Sequence, residues 1–150
     1  MSTFFFDTSA LAKRYLNEVG SAWVRAVLDP VAGHAIILNE LTTVEMSSLL
    51  ARRTREGSLP AETAAALVAG FLLHADTEYL VLPLDATVLT TARALVGRFP
   101  LRTLDAIQFA SALMARSTLR EPITFVSSDT HLLAAAAAEG FATEDPLVHP

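Results

Sequence analysis

Four acidic residues occupy positions in the sequence from which their carboxylates are expected to converge. Asp7 follows the apolar run TFFF and Asp129 follows ITFVSS, and each precedes a helix-like segment. Asp105 lies in the first turn of another predicted helix, and Glu45 lies within the helix-like segment TTVEMSSLL. Carboxylates held close together repel one another unless a proton or a cation relieves the repulsion. Hard divalent cations with oxygen ligands do this, so these residue types favour a Mg²⁺ or Mn²⁺ site.

The same aspartates have a second interpretation as helix caps. An acid near a helix start gains roughly 0.3–1 kcal/mol from the helix dipole. Asp85 occupies a similar context before ATVLTTARALV, and no chemistry is assigned to it. Glu45 differs, because it lies in a stretch of apolar and small residues where a solvated face would carry several charges. Its competitor Glu40, in the NEL linker, is predicted to be exposed or capping.

Other polar residues would support such a site. Hydroxyls predicted to cap helices or to bond a carboxylate, a metal-bound water or a phosphate are Ser9, Ser127 and Ser128. Basic residues close in sequence to the acids, and so candidate contacts for a substrate phosphate, are Lys13, Arg14 and Arg102. The four histidines show no paired ligand spacing, which argues against zinc. The motifs GxxxxGK[ST], GxGxxG and GxSxG are absent, so neither a nucleotide cradle nor a serine hydrolase is supported.

Short apolar strands alternate with helices along the chain. Strands are predicted at Thr3–Phe6, Ala35–Leu38, Tyr79–Leu82, Ile123–Ser127 and, as a last short strand, Phe141–Thr143. Helices are predicted at about 10–18, with Thr8 or Ser9 as the cap, and at 44–53, 61–75, 86–96, 104–116 and 131–139. Such a pattern is typical of an α/β fold with a parallel sheet covered on both faces. Sites in these sheets form beyond the carboxyl ends of the strands, where Asp7 and Asp129 lie.

Composition limits the class of protein. The 150 residues suffice for one domain, and no linker or repeat divides them. The chain has no cysteine, which excludes disulfides and thiolate sites and favours a cytoplasmic location. No run approaches the ~20 apolar residues that a membrane helix needs.

Charge and hydropathy bear on the partners of the chain. The net charge of −5 argues against coating nucleic acid by charge alone. The 52% hydrophobic residues suggest that a partner covers some apolar surface. The helix with AAALVAGFLL is the candidate for that surface, with a wholly buried core helix as the alternative.

Four segments in order resemble the acidic motifs of PIN-domain ribonucleases, specifically VapC-type toxins of toxin–antitoxin pairs. They are FFFDTSALAKRY, TTVEMSSLLARR, LRTLDAIQFASALM and FVSSDTHLLAAAAAEG, and they span nearly the whole chain. The resemblance implies a single PIN domain over residues 1–150, folded as a three-layer α/β/α sandwich around a short, mainly parallel sheet. It also implies that Asp7, Glu45, Asp105 and Asp129 bind one or two Mg²⁺ or Mn²⁺ ions, supported by Ser9 and by Ser127 or Ser128.

The function implied by the resemblance is that of a metal-dependent endoribonuclease toxin. Hydrolysis by metal-activated water would leave 5′-phosphate and 3′-hydroxyl ends, because the RNA 2′-hydroxyl is not consumed. The expected partners are RNA, a VapB-type antitoxin whose C-terminal segment occupies the groove, and a second copy of the chain in a homodimer.

Two alternatives stay open from the residues themselves. One is a catalytically inactive PIN-like module that binds RNA or protein and whose acids only cap helices. The other is a phosphatase with Asp7 as covalent nucleophile; that chemistry normally has a second aspartate two residues on, where this chain has Ser9.

Overall fold

The computed structural model describes residues 1–150, in which parallel strands alternate with helices. The strands are β1 (Thr3–Phe6), β2 (Ala35–Asn39), β3 (Leu80–Leu82), β4 (Thr124–Val126) and β5 (Ala142–Glu144). The α-helices are α1 (Thr8–Tyr15), α2 (Ser21–Val27), α3 (Leu41–Arg55), α4 (Ala61–Thr77), α5 (Ala86–Val96), α6 (Thr103–Leu119) and α7 (Thr130–Ala138). Two short 3₁₀ helices complete the chain, at Pro30–Ala32 and Pro146–Val148.

The five strands form one sheet in the order β3-β2-β1-β4-β5, and every neighbouring pair is parallel. The chain builds outward from β1 through β2 to β3, then crosses to the other side of β1 for β4 and β5. The order of the strands therefore reverses between β1 and β4. In open parallel sheets, the crevice at the carboxyl ends beside such a reversal is where ligands bind.

Alternate residues of the central strands pack on opposite faces of the sheet. Phe5, Ile37 and Phe125 face a core shared with α5, α6 and α7. Phe6 and Val126 face a second core shared with α1, α3 and α4. Successive side chains of a strand point to opposite faces, so these strands place apolar residues on both faces of the sheet. Helices cover both faces for this reason. The predicted three-layer α/β/α sandwich is confirmed, and its sheet is wholly parallel.

Several element boundaries differ from the sequence-based prediction. Helix α1 begins at Thr8 with Asp7 as its cap, rather than Thr8 or Ser9, and α2 was not predicted. The strands β3 and β5 each begin one residue later than predicted. The backbone N–H of Tyr79 donates to His74 and that of Phe141 donates to Ala136, so these donors complete helix ends and are not available to the sheet.

Helix α4 is not a wholly buried core helix. Its Phe71 is fully buried, but Leu72 and Leu73 are exposed. None of the helices combines the length and the apolar character needed to cross a lipid bilayer.

Asn39 fixes the connection from β2 to α3. Its side chain is fully buried; Oδ1 accepts from the backbone of Leu41 (2.8 Å), and Nδ2 donates to Ser111 Oγ (3.0 Å) and to the carbonyl of Pro83 (3.3 Å). One amide therefore joins the start of α3, the middle of α6 and the end of β3.

We expect Asn39→Ala to lower the free energy of unfolding by ~1–2 kcal/mol, because polar groups at three places in the fold, Ser111 among them buried, lose their hydrogen-bond partner. Urea unfolding followed by circular dichroism measures this difference. Asp29→Ala is the matched control, since Asp29 also accepts a backbone hydrogen bond, from Val31, but is exposed. Equal losses for the two variants would contradict the role given to Asn39.

Candidate functional site

A cleft of about 810 Å³ opens at the carboxyl ends of the strands, beside the reversal of strand order. All four acids predicted from the sequence line it: Asp7, Glu45, Asp105 and Asp129. They come from four different elements, namely the ends of β1 and β4 and the early turns of α3 and α6. The parallel topology thus brings residues more than 120 positions apart to one rim.

Asp7 is buried at the bottom of the cleft and accepts three hydrogen bonds. Oδ1 accepts from the backbone of Ala10 (3.0 Å) and from Ser9 Oγ (2.8 Å), while Oδ2 accepts from Ser127 Oγ (2.6 Å). Burial raises the pKa of Asp7 to about 6, against the lowering effect of these bonds, and repulsion from Asp105 contributes to the rise. Asp7 is therefore both a helix cap and a carboxylate without a neutralising partner.

Serine hydroxyls connect Asp7 to the loop that carries Asp129. Ser127 Oγ accepts from the backbone of Asp129 (3.0 Å), and Ser9 Oγ accepts from the backbone of Ser128 (3.2 Å). Asp129 Oδ1 caps α7 by accepting from Leu132 (3.0 Å). Ser128 Oγ is buried and has no hydrogen-bond partner. The ends of β1 and β4 are thus held together through side chains as well as through the sheet.

Polar residues of α1 and α6 hold the carboxylate of Glu45. Its Oε1 accepts from Thr8 Oγ1 (2.9 Å) and from Gln108 Nε2 (2.7 Å). Gln108 Nε2 also donates to Thr42 Oγ1 (2.9 Å), while Gln108 Oε1 is buried without a partner. Glu45 is therefore part of a polar network inside the protein. This agrees with its apolar neighbours in the sequence, which argue against a solvated surface charge.

Arg102 lies at the mouth of the cleft, between two of the acids. Its Nε lies 3.1 Å from Asp105 Oδ2 and its Nη2 lies 3.6 Å from Asp129 Oδ2. The hydrogen bond and the charge of Asp105, followed by the charge of Asp129, raise the pKa of Arg102. Unlike Asp7 and Asp129, Asp105 caps no helix: it is the third residue of α6, and the N-cap residue is Arg102.

The other two predicted basic contacts lie elsewhere. Lys13 is buried and pairs with Glu18 at 3.2 Å, and Arg14 pairs with Glu78 at 2.7 Å and bonds the hydroxyl of Tyr79. Neither lines the cleft. Closeness in sequence was misleading, because both residues lie on the last turn of α1, which runs away from the carboxyl edge of the sheet.

The donor set fits a hard divalent cation, although it is not closed around one. No three Asp, Glu, His or Cys side chains are grouped so that they could hold an ion as they stand. The chain's only two buried side-chain polar atoms without a partner are Gln108 Oε1 and Ser128 Oγ, which belong to residues beside the acids. Four carboxylates on one cleft, one of them the buried Asp7, are the ligands that an oxygen-coordinated divalent cation takes.

Sequence analysis missed three polar residues of the site. Thr8, Thr42 and Gln108 are all buried and all bond within the Glu45 network. Gln108 could have been identified from the sequence, because it is an uncharged polar residue inside the apolar face of LDAIQFASALM. The same argument that distinguished Glu45 applies to it.

The fold of this chain is found in known proteins. The family model described as "PIN domain" matches residues 4–140. The structure resembles VapBC2 from Rickettsia felis bound to a promoter DNA fragment, with a TM-score of 0.64, 10% identity, and coverage of 95% of this chain and 98% of that one. It also resembles PAE2754 from Pyrobaculum aerophilum, with a TM-score of 0.64, 23% identity, and coverage of 99% and 88%.

A toxin–antitoxin complex from Klebsiella pneumoniae has a TM-score of 0.59 at 17% identity, with coverage of 95% of this chain and 97% of that one. No curated protein sequence matches the chain. The structural likenesses show a shared fold, and the family model covers nearly the whole sequence. The predicted family is thereby confirmed: this chain belongs to the PIN domain family.

Proposed function

We propose that this protein is a VapC-type toxin that cleaves RNA with the help of Mg²⁺ or Mn²⁺. The observation that carries the proposal is the convergence of four carboxylates from four elements on one cleft of a PIN domain. The structures that it resembles include VapBC assemblies and a toxin–antitoxin complex, which supports the toxin assignment.

The residues of the cleft divide the work of phosphodiester hydrolysis. Asp7, Glu45, Asp105 and Asp129 would hold one or two cations, while Ser9 and Ser127 orient Asp7. The chemistry that a bound divalent cation supplies is polarisation of a phosphate oxygen and activation of a water molecule. Arg102 at the mouth would pair with a phosphate of the incoming strand, since a guanidinium suits forked contacts with phosphate oxygens.

The test is cleavage of RNA by the purified protein with Mg²⁺, with Mn²⁺ and with EDTA, followed by analysis of the product ends. We expect cleavage only with a divalent cation, with 5′-phosphate and 3′-hydroxyl ends. A primary product with a 2′,3′-cyclic phosphate would contradict hydrolysis by activated water. Isothermal titration that detects no Mn²⁺ binding would favour the inactive binding module instead.

Arg102→Ala should tighten Mn²⁺ binding about threefold and raise the KM for RNA several-fold. The first effect is expected because a cation competes with the guanidinium for Asp105 and Asp129, and the second because a phosphate contact is lost. Titration calorimetry and cleavage kinetics measure the two effects.

Arg93→Ala is the control for Arg102→Ala, because it removes the same charge from an exposed position outside the cleft. It should leave both quantities within twofold of the wild type. Weaker Mn²⁺ binding by Arg102→Ala than by the wild type would contradict the proposed competition between the guanidinium and a cation.

The proposed partners are a VapB-type antitoxin and a second copy of the chain. The mouth of the cleft exposes Val44 and Leu104 above the acids, which suits a partner segment carrying apolar and basic side chains. The exposed Leu72 and Leu73 of α4 are the surface proposed for the homodimer. Expression that arrests growth, and rescue of growth by a short protein encoded in the adjacent reading frame, test the antitoxin assignment.

A further inference from the structure

Gln108 is buried deeper than any acid of the cleft and lies one turn after Asp105 on α6. Its side chain is 2% exposed and lies where α6 approaches α1 and α3. Nε2 is 2.7 Å from Glu45 Oε1, 2.9 Å from Thr42 Oγ1 and 3.3 Å from Thr8 Oγ1. An amide nitrogen has two hydrogens, so the two short contacts account for both of them.

The partners fix which way the amide faces. Turning it over would place Oε1 against the carboxylate of Glu45, where two acceptors would face each other. The observed orientation leaves Oε1 buried and unpartnered. A buried carbonyl without a partner costs about 1–3 kcal/mol. The amide therefore faces Glu45 with its donor, and Glu45 and Thr42 together fix that orientation.

The network occupies one oxygen of Glu45 and leaves the other free. Oε1 accepts from both Gln108 and Thr8, whereas no hydrogen bond within the protein engages Oε2. Glu45 thus has one oxygen tied to α1 and α6. With Oε1 held, rotation of the carboxylate out of this orientation breaks two hydrogen bonds.

From this geometry we propose that Gln108 is a positioning residue, which holds Glu45 Oε1 so that Oε2 is presented to a divalent cation in the cleft. The inference rests on the proposed function, because it concerns the same cation site. Gln108 acts only through Glu45 and touches neither the cation nor the RNA. Partners of this kind, one step behind a ligand, typically affect metal affinity by ~10–100-fold.

The test uses Gln108→Met, which keeps the length of the side chain but cannot donate a hydrogen bond. We expect Mn²⁺ to bind about tenfold more weakly by isothermal titration calorimetry. Ser111→Ala is the matched control, since it removes a buried hydrogen bond of the same helix, to Asn39, without touching Glu45. It should lower the Tm in EDTA and leave the Mn²⁺ affinity within twofold of the wild type.

A double-mutant cycle tests the route of the effect. If Gln108 acts through Glu45, then Glu45→Gln and the double variant with Gln108→Met bind Mn²⁺ equally weakly. A further loss in the double variant would overturn the inference. So would a Gln108→Met protein with a lowered Tm but wild-type affinity for Mn²⁺.

Thr8→Val keeps the test informative should Gln108→Met not fold. It removes the second donor to Glu45 Oε1 and should weaken Mn²⁺ binding in the same direction, by about threefold. Unchanged affinity in this variant would overturn the proposed network. A wild-type protein that binds no Mn²⁺ would reject the proposed function itself, which distinguishes that failure from a failure of the role of Gln108 alone.

Discussion

Asp7→Asn is expected to reduce RNA cleavage by roughly 10²–10³-fold, the size of effect seen when one preorganised electrostatic group is lost from an active site. The substitution keeps the shape of the side chain and one oxygen, which can still accept from Ala10 and Ser9. It removes the negative charge and replaces the oxygen that accepts from Ser127. Initial rates with Mg²⁺ and titration with Mn²⁺ measure the loss of activity and of cation binding.

Asp85→Asn is the control for this variant. Asp85 caps α5 by accepting from the backbone of Val88 (3.0 Å), just as Asp7 caps α1, but it lies outside the cleft. We expect it to keep wild-type cleavage. If the two variants lose activity equally, or if Asp7→Asn cleaves like the wild type, Asp7 is only a helix cap and its proposed role as a cation ligand fails.

In the absence of metal, the protein should become less stable as the pH rises from about 4 to 6. Asp7 has a pKa of about 6 in the folded chain and an ordinary value of 3.8. Below pH 3.8 the carboxyl is protonated in both states, so its full contribution to stability is present. As the pH rises above 3.8, the carboxyl ionises in the unfolded chain but keeps its proton in the folded chain until the pH reaches about 6. This difference favours the unfolded state, so stability falls over that range. The difference between the two pKa values corresponds to a loss of ~3 kcal/mol.

Urea unfolding in EDTA at pH 4.5, 5.5 and 7.5 measures this loss, with Asp7→Asn as the comparison. The variant carries no ionisable group at position 7, so its stability should exceed that of the wild type at pH 7.5 and match it more closely at pH 4.5. Saturating Mn²⁺ should restore the stability of the wild type at pH 7.5, because a cation neutralises the buried charge. A wild type whose stability follows that of the variant at every pH would contradict the buried charge at Asp7.

The strands and the acids could be predicted from the sequence because both depend on short-range patterns. The runs TFFF, AIIL and ITFV are too apolar to lie at the surface, and a parallel sheet sends all their carboxyl ends to one edge. Asp7 follows TFFF directly, and Asp129 follows ITFV after two serines. Their meeting at one cleft therefore required only the fold class, and the structure confirms that the four acids share it.

What only the tertiary structure decided is the environment of each acid. The sequence placed Lys13 and Arg14 near Asp7, yet helix α1 carries them away to Glu18 and Glu78, because a helix advances in a fixed direction from its cap. The bond from Gln108 to Glu45 joins residues 63 positions apart and depends on how α6 packs against α3. A pattern along the chain predicts the face on which a residue lies, but hydrogen-bond partners between elements are fixed only by packing.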